Sequence, residues 1–312
     1  MATDTMPDVA KNEDSARGFA FALSAYFLWG FLPIYMKAVG HIPAMEVLAH
    51  RVIWSVPVAG LVLLVLGRTA DIKAAIRSPR TLMMAGLTAA LITVNWLTYI
   101  WAISAGHALD TALGYFINPL FSIFLAAVLL KEKLSPMQLA AIALVVVAVA
   151  ILTFEAGGLP WVALVLMVSW GFYAFFRKTL PVGPNQGFFL EVIILCLPCL
   201  FYILYLEGNG QGHLVGASIS DSLLLIASGV VTAVPLIMYA NGAKLLRLST
   251  IGLMQYIAPT MIFLIAVFVF HEELSTTKLI AFALIWTALL VWSSPSRSSP
   301  SRPGAFPGWR WC

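Results

Sequence analysis

Three ionisable residues, Glu46, His50 and Arg51, stand close together in an otherwise apolar stretch. Spacings of four and five bring them towards one face of a helix, where Glu46 can meet His50 or Arg51. Arg51 lies seven residues into a run that starts at residue 44, or about 10 Å deep at 1.5 Å per residue. An arginine at mid-bilayer costs ~2.5–3.5 kcal/mol on insertion scales, so it must face protein or water and have a partner. Two chemistries fit. In one, Arg51 holds an anionic group while Glu46 or His50 takes up a proton. In the other, Glu46 and Arg51 form an outer gate or a structural pair.

A second set of polar residues is embedded at mid-run. Pro119 and Pro259 each remove a backbone donor and kink a helix, which frees the carbonyls of Tyr115 and Gln255 four residues earlier. Tyr115, Gln255 and Asn118 also bring polar side chains to the same depth. Paired interruptions at corresponding positions are a pointer to a transport site, although neighbouring hydroxyls can also satisfy a packing kink. Asn95 and Tyr99, at i,i+4, share a face and line the same cavity in this reading, with Tyr239 as a rough counterpart. Helix-to-helix hydrogen bonds are the competing explanation. Cys196 and Cys199 flank Pro198 in an apolar run, where nothing charged would stabilise a thiolate. No metal or cofactor is expected.

The elements that must carry these residues follow from composition. Of 312 residues only 10% are charged and 61% are hydrophobic. The mean hydropathy is +0.93. Such a chain cannot cover a water-facing surface, which argues against a soluble enzyme, a nucleic-acid binder or a disordered scaffold. Ten apolar segments, near 18–38, 44–66, 81–104, 108–130, 135–154, 159–177, 187–206, 221–241, 248–270 and 276–293, are each long enough to cross a bilayer. Continuous rather than alternating runs point to helices. The expected fold is an all-α integral membrane protein with ten transmembrane helices. A polar cytoplasmic lead occupies 1–17, and a Ser/Pro/Arg-rich disordered tail occupies 294–312.

The chain repeats itself. Shifted by 140 residues, 115–144 falls without a gap on 255–284, and ten of the 30 positions are identical. Apolar composition explains the matched Ala and Leu, but not Pro119/Pro259, Glu132/Glu272 and Ser135/Ser275. Trp29-Gly30-Phe31 aligns with Trp170-Gly171-Phe172 at a shift of 141. Two five-helix units are implied, over 18–154 and 155–293. Five is odd, so the second unit enters the membrane upside down. Charge agrees: the matching loops read Lys131-Glu132-Lys133 and His271-Glu272-Glu273. With both termini in the cytoplasm, the outer segments hold only Lys37 and Lys278 among the 18 Lys and Arg, and Arg51 lies within a helix. Glu191 is the acid of the second half that corresponds to Glu46; it lacks a His-Arg neighbour, so the halves are expected to be chemically unequal.

Ten helices in two inverted halves, each ending in a Pro-bearing helix, Glu-x-Leu-Ser and a last helix, resemble the drug/metabolite transporter superfamily with its paired EamA-type units. Residues 28–55 (LWGFLPIYMKAVGHIPAMEVLAHRVIWS), 95–120, 157–164, 228–236 and 248–260 are closely similar to the RarD family of chloramphenicol-sensitivity proteins. The resemblance covers about residues 18–292, and the tail does not fit it. It implies a bacterial inner-membrane permease. The expected function is secondary active transport of small metabolites or drug-like amphipathic solutes. A midplane site between the fourth and ninth helices would open by alternating access, with protons as a candidate coupling ion. The partners are then a solute and the lipid bilayer, with no nucleic acid; the oligomeric state is left open. An intramembrane enzyme and a channel or receptor-like scaffold are the alternatives. The enzyme lacks support from any His-Glu-x-x-His, Gly-x-Ser-x-Gly or Walker motif, and a pore has no need of an inverted second half.

Overall fold

A computed structural model of the chain describes residues 15–129, 136–156, 158–215, 218–243, 245–246, 250 and 254–293. Regular structure among the described residues is entirely helical. The helices are α1 (Ala16–Ala38), α2 (Ala44–Val65), α3 (Thr69–Ile76), α4 (Pro79–Ser104), α5 (Ala108–Leu129), α6 (Pro136–Ala156), α7 (Trp161–Thr179), α8 (Pro184–Gly208), α9 (Ile219–Ala243), α10 (Ile257–Phe268) and α11 (Thr276–Ser293). Ten of them answer to the ten apolar segments. Most of the expected lead, the expected tail and the Lys131-Glu132-Lys133 loop lie outside the described residues.

Local chemistry sets several ends. The Ser15 hydroxyl accepts a hydrogen bond from the Gly18 N–H at 3.0 Å and so caps α1. Ser78 caps α4 in the same way, with Pro79 in the first turn, where a missing donor costs nothing. The eight-residue helix α3 was not apparent in the sequence. It is too short to span, and it packs Ile72 and Ala75 against Ala85, Leu180 and Leu190.

Among the described residues, six helices are long and apolar enough to cross a membrane, and α7, α10 and α11 contain shorter apolar stretches. Large apolar side chains face outward all round, among them Phe31, Leu64, Met83, Phe154 and Phe201. Water would penalise such a surface and acyl chains would not. The protein is a ten-span helical membrane protein built from two inverted five-helix repeats.

The repeats interleave. In the first, α1 packs against α9 and α10 of the second; in the second, α7 packs correspondingly against α4 and α5 of the first. Of the other partnerships, α2 with α8, α5 with α10 and α6 with α11 join equivalent helices, and the packing of α2 on α9 is mirrored by that of α8 on α4. This pattern is that of a pseudo-two-fold axis in the membrane plane. Small residues allow the approach: a Cβ on Gly114 would stand 2.8 Å from the Ala163 carbonyl oxygen, and one on Gly229 would run into the backbone of Trp54.

Candidate functional site

The polar residues at mid-membrane converge where α1, α2, α4, α5, α7, α9 and α10 meet. Asn95 on α4 is fully buried and ties three helices together. Its amide nitrogen donates to the Leu166 carbonyl at 3.1 Å and to the Ser169 hydroxyl at 3.0 Å, both on α7. Its oxygen accepts from the Tyr115 hydroxyl of α5 at 3.2 Å. The Tyr115 ring lies 6.0 Å from Tyr99 and meets Trp170 edge-on. Across the space, Tyr26 and Trp29 of α1 and Tyr239 of α9 form a second aromatic cluster, with centroids 5.4–5.9 Å apart.

Between the clusters is a cavity of about 150 Å³ whose lining includes Arg51, Asn95, Tyr99, Tyr115, Asn118, Tyr239, Gln255 and Pro259. All six residues expected to bind substrate are therefore brought together. The lining also contains Tyr26, Trp29, Trp96, Trp170 and Thr232. In the sequence Trp29 and Trp170 stood out only as aligned members of the repeat, and Thr232 only as part of the 228–236 stretch that carries the resemblance. A larger open groove between α4 and α7, lined by Leu87, Val94 and Val168, is apolar and faces outward, as suits acyl chains.

Arg51 reaches the cavity from α2 and is only 3% exposed. Its Nε donates to the Thr232 hydroxyl at 2.9 Å, and its guanidinium lies over the Trp96 ring at 4.9 Å. Its Nη1 is buried and has no partner. The expected pairing of Glu46 with His50 or Arg51 does not form. Glu46, fully buried, instead accepts from the His213 backbone N–H at 2.7 Å and pairs with His213 Nδ1 at 2.8 Å. The segment between α8 and α9 folds back over α2 and supplies both donors, a contact 167 positions distant in sequence. Both ring nitrogens of His50 are buried without a partner.

Two further expectations are corrected. Pro119 lies inside α5, which runs on as one helix from Ala108 to Leu129, but Pro259 is not a mid-helix kink. The chain turns at Gln255 and Tyr256, α10 starts at Ile257, and Pro259 stands in the first turn, where no intrahelical donor is lost. Glu191 does have a basic partner. Its carboxylate lies 3.3 Å from Arg177 Nη1 and accepts from the Tyr173 hydroxyl at 3.2 Å. Arg177 comes from the preceding helix, so no spacing within the run could have shown it.

One residue outside the cavity was visible only as a repeat match. Glu272 accepts from the N–H groups of Ala108 at 2.7 Å and Leu109 at 2.9 Å, so an acid of the second half caps α5 of the first. His271, with φ at 54°, turns the chain to aim it. Burial raises the Glu272 carboxyl above its ordinary value, against the opposing pull of the two N–H groups. No group of three or more metal-ligating side chains occurs among the described residues.

Known proteins share this pattern along nearly the whole chain. The model of the EamA-like transporter family matches twice, over residues 16–154 and 158–294. An uncharacterized transporter of Vibrio cholerae is 38% identical over 281 residues, covering 90% of this chain and 93% of that protein. Protein RarD of Streptomyces exfoliatus is 39% identical, covering 90% and 89%. Protein RarD of Escherichia coli K12 is 38% identical, covering 89% and 94%. A solved crystal structure with 21% identity superposes with a TM-score of 0.59 over 90% of this chain and 98% of the other, which supports the fold. Two family matches in tandem and relatives aligned from end to end leave one assignment: the chain belongs to the EamA-like transporter family, in its RarD branch.

Proposed function

We propose that the protein is a secondary active transporter of small amphipathic solutes in the bacterial inner membrane, working by alternating access around the cavity between α5 and α10. The observation that carries this is the position of the cavity: a polar, aromatic space at the interface of two inverted halves. Its volume of about 150 Å³ is below the ~300–1,000 Å³ usual for drug-sized ligands, which favours small metabolites.

Among the described residues, the charged ties between the halves gather at one end of the bundle, while at the other Ser15 bonds the Leu245 carbonyl through its N–H at 3.2 Å and its hydroxyl at 3.3 Å. His41 meets Asp221 at 3.0 Å, Glu46 meets His213, Asp110 meets Lys278 at 3.5 Å, and Glu272 caps α5. Arg17, Arg68, Lys73, Arg77, Arg80 and Arg177 lie at the opposite end by helix direction, which by the positive-inside rule faces the cytoplasm. Both termini are then cytoplasmic, and in this reading the charged ties at the other end are what closes the cavity towards the outside. In this reading the coupling ion is the proton, with the Glu46–His213 pair as carrier in place of Glu46–His50.

Solute flux in proteoliposomes, with and without a pH gradient, tests both parts. Uptake of at least one metabolite or drug in a broad panel is expected, driven by the gradient and uncoupled from it in Glu46→Gln. No uptake of any solute ends the transporter reading. Flux that ignores the gradient and is unchanged in Glu46→Gln ends the proton role alone.

A further inference from the structure

We propose that the cavity is an anion site: it takes a small organic monoanion with a flat apolar body, and the carboxylate of that anion seats on Arg51. The inference rests on the transport reading for its purpose, but on the cavity alone for its chemistry.

Arg51 is buried at mid-membrane with Nε committed to Thr232 and Nη1 unpartnered. No Asp or Glu is among the described residues that line the cavity. Its electrostatic neighbours are Tyr99, Tyr35 and Tyr115, not carboxylates. A buried cation is tolerated when paired, and the Trp96 face supplies only part of what a counter-anion would.

The inverted repeat provides an internal comparison. By helix register Glu191 corresponds to Arg51 and not, as expected from the sequence, to Glu46: Arg51 is the eighth residue of α2, and Glu191 is the eighth residue of α8. The two halves thus bury one ionisable group each at the same helix position. Glu191 is neutralised by Arg177 within its own half. Arg51 has no such partner among the described residues and points into the cavity instead.

The remaining groups define the rest of the ligand. The Tyr99 hydroxyl is buried without a partner and is a second donor for a carboxylate. Trp96 and Trp29 present flat apolar walls. The Asn118 oxygen is a buried, unpartnered neutral acceptor, suited to a hydroxyl or amide N–H on the ligand. With no acid to receive an ammonium group, zwitterions and cations are disfavoured relative to monoanions.

The test uses the full chain purified in detergent and a panel of aromatic and aliphatic monocarboxylates, each beside its amide and amine: benzoate, benzamide and benzylamine, for example, with phenylalanine as a zwitterion. Binding is followed by tryptophan fluorescence and by thermal shift. Benzoate or another monocarboxylate is expected to bind about tenfold or more tighter than its amide, as for a charge-assisted contact. Arg51→Gln should erase that preference, Arg51→Lys should keep part of it, and Thr232→Val should weaken it several-fold. The ranking in the unmodified protein stands even if Arg51→Gln does not fold. Amides or amines binding as tightly as the acids, no carboxylate binding at all, or benzoate binding unchanged in a folded Arg51→Gln would overturn the proposal. Counterflow in proteoliposomes separates the two readings. Neutral solutes moving in preference to anions removes the anion site but leaves transport, and anion binding without any flux does the reverse.

Discussion

A single amide holds the wall of the cavity. Asn95 uses both its nitrogen and its oxygen, joining α4 to α7 and α5. Side-chain hydrogen bonds between transmembrane helices average ~0.6 kcal/mol each, because the unfolded chain in the membrane also finds partners. Three such bonds make Asn95→Leu costlier than Tyr115→Phe, which loses one: about 1–2 kcal/mol against about 0.6 kcal/mol. Reversible unfolding in mixed micelles measures both, and Tyr115→Phe proving the more damaging would show that Asn95 is not the hub. At this scale the sequence was informative wherever a polar residue interrupted an apolar run, as at Asn95, Tyr99, Tyr115 and Asn118. Partners were another matter. Glu46 with His213 and Glu191 with Arg177 depend on how separate elements dock, and helical spacing reaches only residues on the same turn or the next.

At the scale of elements, close approach decides more than hydrogen bonding. Gly229 of α9 lies against the backbone of α2 at Trp54, so any Cβ must push the helices apart. Gly86 of α4 has nothing within 4 Å of where its Cβ would stand. Gly229→Ala is therefore expected to cost about 1–3 kcal/mol, as overpacking does. Gly86→Ala should be neutral or stabilising by up to ~1 kcal/mol through helix propensity. Thermal unfolding of the two variants in one detergent tests the contrast; equal effects would mean that the α2–α9 contact can slide. Helix positions were legible because each spanning segment is a long apolar run with polar ends. The exceptions share a cause. Helix α3 is stabilised by docking onto α4 and α8 rather than by its own hydrophobicity, and the start of α10 is set by the turn at Gln255 and Tyr256, not by the apolar run that continues through it.

For the whole molecule, the odd helix count converts a sequence repeat into a mechanical device. Two inverted halves of one design can exchange conformations, and whichever ties form at one end bias the exchange. Here the ties join half to half at the end bearing His213 and Glu272. Each charge-assisted hydrogen bond across that seam contributes roughly 1.5–3 kcal/mol when buried. Losing the charge at two of them, in Glu46→Gln with Glu272→Gln, should shift the population towards opening at that end by about tenfold or more. A single cysteine at Val231, which lines the cavity, reports this when Cys196, Cys199 and Cys312 are replaced by serine. In right-side-out vesicles, a membrane-impermeant maleimide should label Val231→Cys about tenfold faster in the double variant than in the parent. Cysteines at His41 and Lys73 calibrate the sidedness, the first labelled from outside and the second only after permeabilisation. Labelling of both from the same side would contradict the inverted threading itself. Unchanged labelling at Val231 with the sidedness upheld would mean that the Glu46 and Glu272 contacts brace the fold without governing access to the cavity.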